Sequence, residues 1–391
     1  MIITKVNLTN WRNFKRAEAS LREVSYILGV NASGKSNFLD VFRFMRDIAK
    51  PAGGGLQKAV ADRGGLKKLR CLHARKHSEV SLAVEISSTS DAALPLWRYE
   101  LTISHEGVGA QRPFIKAERV TRFEPDGSNK VIVNRPDEDD HLDPERLTQT
   151  ALEQIQANRE FRELVDHFAN TSYLHVVPQL LKYGDLIGGR TLESDPFGQA
   201  FMERLAKTPE KTRISKLGKI EAALKKVVPQ LNELSFLRDD TGRPHLEIRY
   251  EHYRPQGAKQ LEDQFSDGTL RLIALFWLLL DGDSLLLLEE PELSLNEEIV
   301  QQIPYLISSV RRGQKRKRQV LVTTHSKPML DNAGIDSRSL VILEPSSEGT
   351  IIRSANEAEE KALEAGFTPA DVVLPSAQKI SGRKIHLELF S

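Results

Sequence analysis

The stretch Gly29-Val30-Asn31-Ala32-Ser33-Gly34-Lys35-Ser36-Asn37 decides how the rest of the chain is read. It follows the pattern G-x-x-x-x-G-K-S. The residues ahead of it, Val24 to Leu28, form an apolar run suited to a buried strand. Those behind it, Phe38 to Ile48, place Leu39, Phe42, Met45 (or Phe44) and Ile48 roughly on one helical face. A strand, a glycine turn and a helix in that order are the context in which such a loop holds phosphate. Gly29 and Gly34 let the backbone curl so that several N–H groups point at one anion. Asn31, Ala32, Ser33 and Asn37 belong to the same expected cradle. The helix opening at Ser36 adds the positive end of its dipole. Lys35 is expected to reach the β- and γ-phosphates, and the Ser36 hydroxyl to hold Mg²⁺. The bland alternative is a solvated glycine turn, and the presence of both flanks argues against it.

The bulk numbers bound the answer. With 391 residues, 40% apolar and 28% charged, the chain suits one large or two modest globular domains. A net charge of +1 means that any nucleic-acid site must be a local patch. The single cysteine, Cys71, excludes an intrachain disulfide and a thiolate zinc site, and points to a reducing, cytoplasmic setting. His73 and His77 read as ordinary surface residues. The N-terminus, Met1 to Trp11, alternates like a strand and lacks a signal-peptide core. The most apolar stretch, Leu270 to Leu288, contains Arg271 and is broken by Asp281-Gly282-Asp283, so it does not span a membrane. A soluble protein is expected.

Residues 2–9 and 23–29 read as two strands meeting at a turn around Asn13 to Glu18. A glycine-rich breaker at Pro51 to Gly55 leads into a basic loop ending near Lys76. Four strand-like runs follow, Glu79–Ile86, Trp97–Ser104, Ile115–Phe123 and Lys130–Val133, suggesting an antiparallel meander. The acidic run Asp137 to Asp140 reads as a solvated loop, with a Mg²⁺ role as the lesser alternative. Pro144 to Phe168 carries helical periodicity and is capped by Asp143. Pro196–Leu205 and Arg213–Val228 read as helices, and Glu233–Arg238 and His245–Glu251 as strands. The expected organisation is an N-terminal lobe over 1–135, a helical insert over 136–230 and a C-terminal lobe over 231–391.

Three further motifs lie far downstream. Phe265-Ser266-Asp267-Gly268-Thr269 opens a strongly apolar helix, with Ser266 as N-cap and Gly268 leaving the backbone approachable. Alone, it reads more readily as a capped core helix. Leu285-Leu286-Leu287-Leu288-Glu289-Glu290-Pro291-Glu292 reads as a strand buried on both faces with acids at its carboxyl end. Glu289 is expected to orient Mg²⁺ or its water, and Glu290 to polarise the attacking water. Val320-Leu321-Val322-Thr323-Thr324-His325-Ser326 is another buried strand, ending in a histidine that could bond a γ-phosphate.

Taken in order, Gly29–Ser36, Phe265–Thr269, Leu285–Glu292 and Thr323–Ser326 resemble the Walker A, signature, Walker B and switch-histidine motifs of ABC-type ATPases. The branch containing SMC, RecF and OLD-like proteins fits best, and the resemblance extends from Asn7-Leu8-Thr9-Asn10-Trp11-Arg12-Asn13-Phe14 to His325. It implies an α/β ABC-ATPase head, with a mixed P-loop sheet, an antiparallel β lobe and a helical insert. It also implies ATP and Mg²⁺ as ligands, and a homodimer that sandwiches ATP, with higher oligomers as an extension. In that dimer Ser266 and Gly268 of one copy would complete the site built by Lys35, Ser36, Glu289 and Glu290 of the other. Gln179 is the position that resembles the family's Q-loop glutamine, a metal ligand. Arg12 resembles a family arginine near the nucleotide. Two positions depart from the pattern: Glu289 stands where the Walker B aspartate is usual, and Asp267 where the signature has glycine.

Within this class, the long separation between Lys35 and Ser266 argues against a transporter ATPase. The single cysteine excludes a zinc-hook protein, and the segment after His325 is too short for an appended nuclease domain. The remaining likeness is to stand-alone ATPases of this branch, often encoded beside an effector nuclease in prokaryotic anti-phage systems. An ATP-hydrolysing dimer that senses or clamps DNA and regulates a separate effector is therefore expected. A RecF-like repair ATPase and a nucleotide-gated scaffold with little turnover are the alternatives. The basic run Arg311 to Arg318 reads as a solvated loop, with DNA or partner contact as the other reading. The loop Arg63–Lys76 is a comparable basic stretch. The tail has an expected helix near Glu357–Ala365 and a strand-like end at Ile385–Phe390, suited to packing on the head or to docking a partner.

Overall fold

A computed structural model describes residues 1–74, 78–105, 112–187, 197–251, 258–312 and 317–375. The chain divides into two compact units, Met1–Thr171 with Ile335–Ser391, and Ser172–Gly334. The segment 136–230, expected as a helical insert, is thus shared between them.

The first unit contains an antiparallel sheet of six strands in the order β2-β1-β4-β5-β6-β7. These are β1 (Ile2–Trp11), β2 (Phe14–Ser20), β4 (Val80–Ser87), β5 (Trp97–His105), β6 (Pro113–Phe123) and β7 (Asn129–Arg135). The expected meander is present, with β4 pairing β5, β5 pairing β6 and β6 pairing β7 in succession. Alternation drives it: along β5, Trp97, Tyr99, Leu101 and Ile103 are buried while the residues between them are only partly so. The same unit holds β3 (Val24–Leu28), which runs parallel to β14 (Leu340–Ser346), itself antiparallel to β15 (Gly349–Arg353). The helix Lys35–Ala49 buries the expected face, Leu39, Phe42, Met45 and Ile48, and adds Phe38, Val41 and Phe44. Trp11 meets Phe44 edge-on at 5.2 Å, which ties β1 to that helix.

The second unit places β12 (Leu286–Glu289) between two parallel neighbours, β13 (Val320–Thr324) and β8 (Ser172–Leu174). Leu285, Leu286 and Leu287 are 0% exposed, as a strand covered on both faces requires. A second sheet, order β11-β10-β9, is antiparallel and is made of β9 (Leu231–Arg238), β10 (Pro244–Tyr250) and β11 (Ala258–Leu261). The described helices of the unit are Pro178–Ile187, Phe201–Lys207, Glu210–Leu224, Asp267–Leu280, Glu297–Arg312 and Lys327–Leu330.

Several expectations are corrected. The turn after β1 lies at Arg12-Asn13, and Phe14–Ser20 is a strand, not part of a turn. Only Phe14 and Ala19 of that strand are buried, so its sequence shows little of the strand signal. Pro144 to Phe168 is not one helix. It comprises 3-10 turns at Pro144–Thr148 and Ala157–Phe161, then the helix Arg162–Ala169. Local side-chain bonds compete with the helix there: Glu153 Oε1 accepts from Thr150 N at 2.6 Å, and Asn158 Nδ2 donates to Leu152 O at 2.9 Å. Asp143 does cap the first turn, accepting from Glu145 N. The acidic run is solvated at Asp137, Glu138 and Asp139, but it forms a short helix and buries Asp140. Asp137 caps the short helix Glu138–Leu142, and Asp140 is buried 2.8 Å from Arg135.

The basic run is also corrected at its ends. Arg318 is 1% exposed and donates to Ser284 O and Leu278 O, each at 2.7 Å, and to Asp281 O. Arg311 Nε donates to Arg318 O at 2.8 Å. Arg318 therefore closes the C-terminal end of helix Asp267–Leu280 and its following turn, and Arg311 is buried against the Arg318 backbone rather than facing solvent. Residues 313–316, His77, the basic positions 75 and 76, the start of the helix expected at Pro196 and the strand expected at Ile385–Phe390 lie outside the described residues. His73 is exposed, and among the described residues no cluster of His, Cys, Asp and Glu is arranged to hold a metal. No helix among them is long and apolar enough to cross a membrane.

Candidate nucleotide site

In the first unit, β3 delivers the chain into the loop Gly29–Gly34. A side chain at Gly29 would strike Ser33 Oγ and lie 2.9 Å from Leu343 O, so the tight turn demands glycine. Ala32 at φ 65° and Gly34 at φ 99° are left-handed and turn the backbone into the helix. Gly34 is the N-cap of helix Lys35–Ala49 and brings no capping side chain. The helix start is thereby left to an external anion, which fits a phosphate ligand. Lys35 folds over the loop, with Nζ donating to Gly29 O at 2.9 Å and Val30 O at 3.3 Å. Asn31, Ala32 and Ser36 are exposed, and Ser33 is buried.

Asn13 braces this loop from behind. Its Nδ2 donates to Ser33 O at 3.1 Å and to Thr350 Oγ1 at 2.6 Å, and its Oδ1 accepts from Asn37 Nδ2 at 2.8 Å. Thr350 Oγ1 in turn donates to Ser33 O at 2.8 Å. Asn37 is thus a bracing residue as well as a loop residue, and its backbone oxygen accepts from Trp11 Nε1 at 3.0 Å. Arg12, left-handed at φ 52°, reaches Asp40 at 2.8 Å, one turn along the helix from Ser36. Burial alone would raise the Asp40 carboxyl. Arg63 and Arg12 beside it outweigh that and hold it below the usual carboxylate range.

In the second unit, Glu289 and Glu290 stand where β12 ends. Tyr173 on β8 donates its hydroxyl to Glu289 Oε2. Glu290 adopts φ 43°, and its N–H donates to Thr323 O on β13 at 3.1 Å. That turn brings Glu290 Oε1 to 3.1 Å from His325 Nδ1. Glu292 sits behind the pair, buried, accepting from Thr324 Oγ1 at 2.5 Å, while Thr324 Oγ1 accepts from Ser326 N at 3.0 Å. Burial pushes the Glu292 carboxyl above its ordinary value. A hydrogen-bonded chain therefore links the acidic turn to the histidine turn.

The serine-capped helix Asp267–Leu280 belongs to the same unit. Ser266 Oγ accepts from Thr269 N at 3.1 Å, as an N-cap should, and Ser266 is exposed. Gly268 packs against the turn after the acids. A Cβ there would lie 3.0 Å from Leu295 Cδ2 and 3.2 Å from Ser294 O. Gln179 does not bond Glu289; its Nε2 donates to Asp267 Oδ2 at 3.0 Å, beside Lys182 at 2.9 Å from Oδ1.

The model of the family described as "AAA domain, putative AbiEii toxin, Type IV TA system" matches residues 24–332. The chain belongs to that family. Among curated proteins, none matches this sequence. Of solved structures, an SMC head bound to the C-terminal winged-helix domain of ScpA is similar with TM-score 0.54 and 16% identity, covering 93% of this chain and 100% of the other. The SMC head from Thermotoga maritima (13% identity, 91% and 100% covered, TM-score 0.43) is a weaker likeness. So is that derived from Pyrococcus furiosus with an extended coiled coil (13%, 93% and 99%, TM-score 0.48). This AAA-domain protein thus has the mixed α/β fold of an SMC head.

Sequence reasoning named Glu290 and His325 without knowing that they touch. It passed over Asn13, Thr350, Tyr173, Lys182 and Thr324. Asn13 lay within the quoted stretch Asn7–Phe14, and Thr324 within the histidine motif. The partners of Tyr173 and Lys182 are far along the chain, so no local pattern marks them.

Proposed function

We propose that this AAA-domain protein binds and hydrolyses ATP as a dimer whose two copies enclose the nucleotide. The observation that carries the reading is the Glu290–His325 pair, in the same unit as an exposed, serine-capped helix start at Ser266. A carboxylate held by a histidine at a strand end suits positioning of an attacking water, the main task in phosphoryl transfer. In this reading Gly29 to Asn37 cradle the phosphates and Lys35 neutralises the β- and γ-groups. Ser36 and Glu289 hold Mg²⁺, with Gln179 as a further ligand and Arg12 near the nucleotide. Bound Mg²⁺ would supply charge neutralisation on the phosphates. Glu290 polarises water, His325 contacts the γ-phosphate, and Ser266 and Gly268 serve the copy opposite.

The biological role we infer is a DNA-linked sensor or regulatory subunit of a prokaryotic defence system, paired with a separate effector, a nuclease by preference. The family's description as a toxin of a type IV toxin–antitoxin system supports a two-component setting. A nucleotide-gated scaffold is the second reading, favoured by Glu289 and Asp267 at the two departures from the family pattern. Phosphate release and particle mass, measured with ATP and Mg²⁺ on the complex purified from its host, test both. ATP-driven pairing with hydrolysis supports the first reading, pairing without hydrolysis supports the second, and no pairing overturns the sandwich. A co-purifying nuclease separates the defence role from a RecF-like repair ATPase.

A further inference from the structure

Asp267 lies between Ser266 and Gly268, the residues proposed to meet a partner copy's triphosphate. A carboxylate at that point opposes the γ-phosphate through like charge. In this unit the charge is held. Lys182 Nζ is 2.9 Å from Asp267 Oδ1, and Gln179 Nε2 donates to Oδ2 at 3.0 Å. Both come from helix Pro178–Ile187, three residues apart and therefore on one face. The Lys182 side chain is 13% exposed and that of Asp267 36%, so solvent and salt screen this pair less than a fully exposed one. Arg271, one turn further along helix Asp267–Leu280, also acts on the Asp267 carboxylate through its charge but does not hydrogen-bond it, and its Nε is buried without a hydrogen-bond partner. Lys182 is thus the cation bonded to the acid.

We propose that Lys182 is a positioning residue for the nucleotide sandwich, holding the Asp267 carboxylate so that the Ser266–Gly268 backbone can accept a triphosphate. This deepens the reading above and rests on it. The acid at a position where the family pattern has glycine is tolerated because a lysine from a neighbouring helix compensates it, and the two residues act as a unit. The plain alternative is that the ion pair merely clamps two helices together. The two roles differ in what happens when both charges are removed. Charge compensation makes the double neutral variant competent, whereas a clamp leaves it as defective as the single one.

The full chain, with ATP and Mg²⁺, provides the test through particle mass as a function of ATP concentration. A fluorescent ATP analogue reports binding to single copies. Lys182→Met is expected to raise the ATP concentration for half-maximal pairing about tenfold, with single-copy affinity within about twofold of the parent. Adding Asp267→Asn is expected to return pairing to within about twofold of the parent. Unchanged pairing in Lys182→Met overturns the proposal, and so does a defect that Asp267→Asn does not relieve. If Lys182→Met fails to fold, Asp267→Asn alone decides: pairing at equal or lower ATP supports compensation, and weaker pairing overturns it. A parent protein that never pairs with ATP sinks the sandwich reading itself and this proposal with it, whereas the other failures leave that reading intact.

Discussion

His325 Nδ1 lies 3.1 Å from Glu290 Oε1, joining the ends of two adjacent parallel strands. A carboxylate accepts, so Nδ1 carries the proton in this contact and Nε2 is left for a different partner. Replacing Glu290 by Gln keeps the shape and removes the charge proposed to polarise water. Phosphate release is expected to fall by roughly 10²–10⁴-fold, while ATP-driven pairing persists or strengthens. Hydrolysis equal to that of the parent protein would remove Glu290 from the catalytic role.

Asn13 touches Ser33, Asn37 and Thr350 at once. Asn13→Ala leaves the buried face of the phosphate loop without its brace, at a cost of about 1–2 kcal/mol for the lost hydrogen bonds. Affinity for a fluorescent ATP analogue is expected to fall about tenfold, since the loop must then be ordered by the ligand itself. Thr350→Ser, which keeps the hydroxyl, should bind as the parent does. Equal affinity in Asn13→Ala would show that the loop holds its own shape.

Glu118 gives the first unit a pH dependence. It is fully buried, and burial raises its carboxyl to about 7 against the bonds it accepts from Ala151 N, Arg135 and the Tyr99 hydroxyl. A folded-state value above the unfolded one means the folded state binds more protons between the two. Stability from this group is therefore full below about 4.5 and lost as pH rises through about 7. In thermal unfolding between these limits, the parent should lose up to about 3 kcal/mol relative to Glu118→Gln as pH increases. Parallel profiles for the two proteins would contradict this.

Arg318 closes the carbonyl end of helix Asp267–Leu280 from inside the protein. Its burial lowers the guanidinium to about 10, against the favourable pull of Asp281 and Asp283. Arg318→Met strands the carbonyls of Asp281 and Ser284 and leaves Leu278 O only the Asp281 N–H, and should cost roughly 3 kcal/mol or more in urea unfolding. A loss below about 0.5 kcal/mol would return Arg318 to the solvated basic run that its sequence suggested.

The parts of the molecule legible in the sequence are those where one local signal sufficed. The loop Gly29–Ser36 between strand and helix, the alternating meander and the Ser266 cap all carry their own patterns. Phe14–Ser20 was not legible, because an edge strand with two inward side chains is indistinguishable from a charged turn. The broken helix after Pro144 was hidden by apolar spacing, since the side chains of Glu153 and Asn158 captured backbone groups that a helix would have used. Arg311 and Arg318 looked like surface charge because nothing in a run of cations says which of them turns inward. The bracing of Ser33 and the pairing of Asp267 are long-range contacts, and only the folded chain brings their members together.

Asn13 and Thr350 belong to opposite extremes of a unit that the chain leaves at Thr171 and re-enters at Ile335. During synthesis, then, the growing polypeptide has its Gly29–Ser36 loop exposed long before the threonine that steadies it has left the ribosome. A truncated product should make a poor ATP trap: the fragment Met1–Thr171 is expected to bind a fluorescent analogue at least about tenfold more weakly than the whole protein, and equal binding would contradict this. The order of translation would thereby set when the loop gains its full brace.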